Sequence, residues 1–235
     1  MYSISAKYYD EIYEATGKDY HAEAGIAHKL IQRYKKTKGN TLLDVGCGTG
    51  IHVNLLGIHY QVEGLDLEPR MLAIARKNFP KLRFRQGNMI DFNISQKFDI
   101  VTCLFSAIGH VKTKMFLQKA IKNMSQHLLS GGVLLLEPWF APEDWHTGSI
   151  YTVTVNKPSL KLVRMSRSSQ KGKISIIEFQ YLIGTPKGIT RGSETLELGL
   201  FTQEEYLEAF RRAGLKVKHD PKGLDGRGLY IGMKP

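Results

Sequence analysis

The chain has 235 residues, with 33 Lys+Arg against 22 Asp+Glu for a formal charge of +11, and that length fits one domain or one domain with an elaboration. Hydrophobic residues at 42% and charged residues at 23% match ordinary globular usage and exclude a disordered, collagenous or disulfide-stapled polymer. No run approaches the ~18 apolar residues of a membrane span, and Met1 to Asp10 lacks the blocks of an export signal. The expectation is a soluble, cytoplasmic protein.

Two separated cysteines, Cys47 and Cys103, support neither a disulfide framework nor a metal cluster. The basic excess sits in residues 70 to 130, where eleven Lys and Arg face two Asp. Few aromatics interleave them, so they read as solvated helix faces and not as a stacking surface for nucleic acid.

In chain order, Asp19 to Lys36 reads as a helix, with Ala22, Ile26, Leu30 and Ile31 near helical spacing. Thr41 to Val45 is a short buried strand running into Gly46-Cys47-Gly48-Thr49-Gly50, which opens a helix. Tyr60 to Asp66 is a second strand, Glu68 to Phe79 a helix, Leu82 to Gln86 a third strand and Phe98 to Leu104 a fourth. Lys112 to Leu129 reads as a long helix, turned by Gly131-Gly132 into a fifth strand, Val133 to Glu137. Strands alternating with helices predict an α/β fold, a doubly wound, mostly parallel sheet.

After Pro138 the pattern becomes alternating and Gly/Pro-punctuated at Tyr151 to Val155, Leu160 to Ser166, Lys173 to Ile183 and Ile189 to Leu200, as in antiparallel strands. A helix from Thr202 to Ala213 opens on a capping box, and Leu215 to His219 and Gly228 to Met233 return to the main sheet as edge strands. The expected organisation is a ligand-binding core with an N-terminal cap (1–139), an antiparallel β elaboration (140–200), and a helix with edge strands completing the core sheet (201–235).

Three strand ends carry chemistry. Gly46, Gly48 and Gly50 let the backbone turn tightly against a ligand. A dinucleotide would prefer G-x-G-x-x-G with no acid before it. Here Asp44 precedes the loop, which repels a pyrophosphate and suits the ammonium and sulfonium of S-adenosyl-L-methionine. Asp66, with Leu67 beside it, ends the second strand, where a carboxylate accepts two ribose hydroxyls. Asn88 and Met89 follow the third strand and suit the edge and face of an adenine.

These residues, with Gly17-Lys18-Asp19-Tyr20, Phe105-Ser106-Ala107-Ile108-Gly109-His110, Glu137-Pro138-Trp139 and Gly226-Arg227-Gly228-Leu229, resemble the class I methyltransferases. More narrowly they resemble the N,N-dimethyltransferases of dTDP-linked aminosugars, nearly end to end. The resemblance implies a Rossmann-like core, S-adenosyl-L-methionine as cofactor with S-adenosyl-L-homocysteine as product, an anionic nucleotide sugar as partner, and a homodimer. It implies His110 and Tyr2 as catalytic, with His110 taking the amine's proton or bonding the sugar; Glu137, ending the fifth strand, is a further catalytic candidate that either favours the cationic product amine or is hydrogen-bonded in the sheet. Tyr9, Tyr20 and Leu104 join the strand-end residues around the cofactor, and Arg227, Trp139 and Ser106 meet the substrate, Arg227 as a clamp on pyrophosphate.

Two departures stand out. Asn88 occupies a position where the family commonly has Asp, and Phe140 replaces a second tryptophan after Trp139. Competing readings are methylation of another small amine or hydroxyl, methylation of RNA, and a regulator that senses the cofactor without transferring its methyl group. Against RNA stands the absence of an Asn/Asp-Pro-Pro-Tyr-like loop.

Overall fold

The computed structural model describes residues 4–235, so the expectation placed on Tyr2 lies outside the described residues. A 3-10 turn (Ser5–Tyr8) leads into helix α1 (Tyr9–Ala15), and α2 (Tyr20–Tyr34) starts where the Asp19 carboxylate accepts from the Ala22 amide. There follow β1 (Thr41–Val45), α3 (Ile51–Leu56), β2 (Gln61–Asp66), α4 (Pro69–Asn78), β3 (Arg83–Gln86), β4 (Phe98–Cys103), α5 (Lys114–Gln126) and β5 (Leu128–Leu136). Next come β6 (Ile150–Lys157), β7 (Leu160–Lys171), β8 (Ile174–Thr185), β9 (Gly188–Gly199), α6 (Gln203–Arg212), β10 (Lys216–Asp220) and β11 (Leu229–Met233).

The main sheet has the order β10-β11-β5-β4-β1-β2-β3, with β1 to β5 parallel and β10 and β11 antiparallel. Alternate strand residues serve opposite faces. Leu43, Val101 and Leu134 pack with Leu117, Ile121 and Phe210 of α5 and α6. Leu42, Ile100 and Leu135 pack with Ala27 and Ile31 of α2. Both faces are therefore dry, which is why these strands read as unbroken apolar runs. The order reverses between β1 and β4, so the crevice at the carboxyl ends opens where β1, β2 and β4 finish.

β6 to β9 form a second, fully antiparallel sheet. Its apolar face buries Val155, Leu162, Tyr181 and Ile183 around Ile12 of α1, tying the N-terminal segment to a sheet more than 140 residues along the chain.

Two boundaries differ from the pattern-based expectation. α5 stops at Gln126, and β5 begins at Leu128, two residues after it, so Gly131-Gly132 lies inside a strand and is not the turn before it. The His127 carbonyl accepts from the Phe98 amide at 2.8 Å, committing this backbone to the sheet. The register with β4 slips between Phe98 and Ile100, and Gly131 adopts φ +81° in that irregularity. β11 is not an edge strand but lies between β10 and β5, with Leu229, Tyr230 and Ile231 buried.

Candidate active site

The glycine loop after β1 turns left-handed at Gly46, Gly48 and Gly50 (φ +77°, +55° and +85°). At Gly46 a side chain is also excluded by space, because a Cβ would stand 2.5 Å from that of Ala107. This close approach joins the β1 loop to the loop after β4.

Asp66 pins the same loop. Its Oδ2 accepts from the Gly48 amide and its Oδ1 from the Glu68 amide, each at 2.8 Å. Each oxygen keeps a second lone pair for another donor. Burial raises its pKa, against the pull of these two amides. Asp44 is 2% exposed and accepts from the Thr102 hydroxyl at 2.7 Å, and burial pushes its pKa up to about 6 despite nearby His52. Leu67 is 60% exposed beside Asp66, whereas Leu104 is buried in the core. Met89 approaches Gly46, its Cε lying 3.8 Å from the position of an added Cβ. The Asn88 amide oxygen accepts from the Ile90 amide within its own turn at 3.2 Å.

The loop after β4 is held in an unusual conformation. Phe105 and Ser106 both have positive φ (50° and 58°), as does Lys112 (59°), which a β-carbon disfavours. The anchor is the end of β5. The Phe105 amide donates to Glu137 Oε2 at 2.6 Å, and the Ser106 hydroxyl donates to the Pro138 carbonyl at 2.7 Å. Between Ser106 and Lys112 the chain makes a short 3-10 turn, Ala107–Val111, that carries His110.

Glu137 has no exposed surface. Its second oxygen accepts from Arg227 Nη2 at 2.8 Å, and Arg227 also pairs with Asp225. Burial raises the Glu137 pKa while Arg227 opposes it. Its carboxylate is placed behind the loop as an anchor and does not line the cavity in front.

That cavity, about 770 Å³, lies between the β4 and β5 ends and the second sheet, within the range of small-molecule sites. Of the residues singled out from sequence, Tyr9, Ser106, His110, Trp139 and Arg227 line it; the glycines, Asp66, Asn88 and Met89 do not. Two neighbouring regions result, meeting at Ala107 and Ser106. Burial, with Lys112 nearby, pushes the His110 pKa down to about 4, so its imidazole is neutral at physiological pH. Trp139 donates its indole N–H to Ser175 Oγ at 2.9 Å and meets Phe140 and Trp145 ring to ring, so a second tryptophan is supplied from six residues along.

Around Phe105 the fold gathers residues that lie apart in the chain. Tyr9 and Tyr13 pack against Phe105, as does Tyr20, whose hydroxyl is buried without a hydrogen-bond partner among the described residues. The Lys18 side chain is buried and ion-paired to Glu23, with its ammonium 3.7 Å from the Phe105 ring centroid. Asp10 accepts from the Thr49 hydroxyl at 2.7 Å, latching α1 onto the glycine loop. The Gly17 to Tyr20 and Phe105 to His110 motifs mark Lys18 and Phe105, but nothing local marks Asp10 or Tyr13.

A methyltransferase-domain family model matches residues 42–132, the stretch from β1 into β5. Over 230 residues the chain is 41% identical to the dTDP-3-amino-3,6-dideoxy-alpha-D-glucopyranose N,N-dimethyltransferase of Streptomyces fradiae, covering 97% of this chain and 90% of that one. The chain belongs to the dTDP-aminosugar N,N-dimethyltransferases. It is a transferase of the S-adenosylmethionine-dependent class. Within this family it is also 37% identical to the dTDP-3-amino-3,4,6-trideoxy-alpha-D-glucopyranose N,N-dimethyltransferase of Streptomyces venezuelae, over 99% of both chains. The methyltransferase superposes on the solved structure of Streptomyces venezuelae DesVI with a TM-score of 0.94, at 35% identity over the whole of each chain. It also superposes on SAM-bound CalS10, an amino pentose methyltransferase from Micromonospora echinaspora, with a TM-score of 0.88 at 38% identity, over 97% and 96% of the two chains.

Proposed function

We propose that this enzyme methylates the amine of a nucleotide-linked aminosugar, the glycine-loop crevice taking S-adenosylmethionine and the neighbouring cavity the acceptor. The observation that carries the reading is their junction, where Gly46 of the acid-lined loop abuts Ala107, beside Ser106 and three residues before His110.

The residues present fit the donor. Asp66 retains acceptor capacity for ribose hydroxyls, Gly48 has open space where a side chain would stand, Met89 offers an apolar surface, and buried Asp44 offers a negative charge to the ammonium. For the donor's carboxylate Tyr20 offers a hydroxyl that has no hydrogen-bond partner among the described residues. The bound cofactor supplies a methyl group on a positively charged sulfur.

The chain's own task is to present an uncharged amine in line. An imidazole with a pKa near 4 is too weak a base to hold a proton taken from an alkylammonium. His110 therefore receives the amine already neutral and orients it by hydrogen bonding. It adds no charge of its own. Glu137, through the Phe105 amide, keeps the loop that carries Ser106 and His110 in its strained form. Trp139, Phe140 and Trp145 give the sugar an aromatic wall.

A cytoplasmic homodimer belongs to the same reading. Both cysteines are free and buried, which suits a reducing compartment. On the outer face of the second sheet, cross-strand neighbours Val163 and Leu182 are exposed with Met165, an apolar surface for a second copy. No helix among the described residues is long and apolar enough to cross a membrane.

The deciding experiment is mass spectrometry of a panel of aminosugar nucleotides incubated with enzyme and S-adenosylmethionine. A gain of one or two methyl groups on one panel member is expected. Methylation of free amines with every nucleotide sugar untouched would overturn the assignment.

A further inference from the structure

The acceptor cavity holds two guanidinium groups in different electrostatic situations. Arg227 is already neutralised, paired to Glu137 at 2.8 Å and to Asp225, although its Nε, too, is buried without a hydrogen-bond acceptor among the described residues. Among the described residues Arg164, on β7, has no ion-pair partner, and its Nε is buried without a hydrogen-bond acceptor. The one carboxylate lining the cavity, Asp144, is solvent-exposed. Glu194, on the same sheet, spends its carboxylate on the Tyr181 hydroxyl at 3.3 Å and on the backbone amides of Ser5, at 3.1 Å, and Ile4.

The surroundings of Arg164 restrict what it can meet. Its guanidinium carbon sits 4.9 Å from the ring centroid of Phe179 and 5.6 Å from that of Tyr13. Aromatic faces attract a cation but accept no in-plane hydrogen bond. The donor fork, five N–H groups in one plane, therefore has charge and directionality to spare, and an unpaired buried donor costs free energy until an acceptor arrives. The Tyr13 ring lies in turn 4.8 Å from that of Phe105, so one aromatic ring separates Arg164 from the loop that holds Ser106 and His110.

We propose that Arg164 is the anion-binding residue of the acceptor site, its guanidinium taking the phosphate oxygens of the nucleotide-linked sugar as a planar fork. This transfers to Arg164 the clamping role that motif resemblance gave to Arg227, whose charge is spent on holding Glu137. It rests on the aminosugar-nucleotide reading above.

Calorimetry on the S-adenosylhomocysteine-loaded enzyme tests it, with thymidine diphosphate and thymidine as probes. Arg164→Gln is expected to weaken thymidine diphosphate binding roughly 10- to 100-fold, the worth of hydrogen bonds to a charged group. Thymidine affinity, S-adenosylhomocysteine affinity and melting temperature should stay as in the wild type. Arg164→Lys, which keeps the charge and loses the fork, should fall between the two and carries the test should the glutamine variant fail to fold. Equal thymidine diphosphate affinity in wild type and variants, or equal losses for thymidine and its diphosphate, would overturn the role of Arg164 while leaving the methyltransferase reading intact. A wild-type enzyme that binds no thymidine diphosphate would instead remove the nucleotide-sugar reading, and this inference with it.

Discussion

Replacing Asp66 by alanine separates binding from folding. The carboxylate holds two backbone amides at 2.8 Å, those of Gly48 and Glu68, while remaining costly to bury in its charged form, as its raised pKa records. Truncation loses two hydrogen bonds but also removes a buried charge, so the fold should give up only about 1 kcal/mol. Cofactor binding has no such compensation. Two ribose hydroxyls lose a charged acceptor worth about 1.5 kcal/mol or more each, so affinity for S-adenosylhomocysteine should fall roughly 100-fold or more. Isothermal titration of wild type and Asp66→Ala, with thermal melts of both, measures the two terms. An affinity loss smaller than about threefold, or a loss matched by collapse of the melting temperature, would refute the reasoning.

His110→Gln should lower kcat while leaving S-adenosylhomocysteine affinity unchanged. The rise of kcat/KM with pH should persist in that variant, because a histidine with a pKa near 4 is neutral throughout and the limb belongs to the acceptor amine; disappearance of the limb would assign it to His110 instead. Asp44, with a pKa of about 6, is ionised above that pH and neutral below it, so affinity for the cofactor's ammonium should weaken as pH falls through 6. Titrations at pH 5 and 7.5 should show this dependence in wild type and its loss in Asp44→Asn. Gly46→Ala forces a β-carbon into a left-handed residue 2.5 Å from the Ala107 side chain, and should destabilise the fold by about 2 kcal/mol or more, read by urea denaturation.

How far a local pattern reached depended on the range of the interactions behind it. The glycine loop was legible because Gly46, Gly48 and Gly50 meet a local demand, positive φ, that few other residues satisfy. The capping box at Thr202 and Glu205 was legible for the same reason and is formed on both sides. α1 carried no comparable signal: its one fully buried residue, Ile12, packs against Val155, Leu162 and Ile183, partners far along the chain. The pairing of Glu137 with Arg227, 90 residues apart, left no local trace. Asn88 suits an adenine by residue type, and the turn that its amide oxygen closes onto the Ile90 amide leaves a second lone pair open. Arg164 was one basic residue on an alternating strand, and only folding set it between two aromatic rings.

The second sheet is inserted as a single stretch, residues 150–199, whereas the glycine loop, Asp66 and Met89 come from successive crossings of the main sheet. On the proposed assignment donor recognition is thus dispersed through the framework that folds the protein, but the roof over the acceptor is one contiguous cassette. Transplanting that cassette between related scaffolds is a compact route to new sugar preferences, provided that the graft carries α1 with it, because Ile12 is seated among the roof's own side chains.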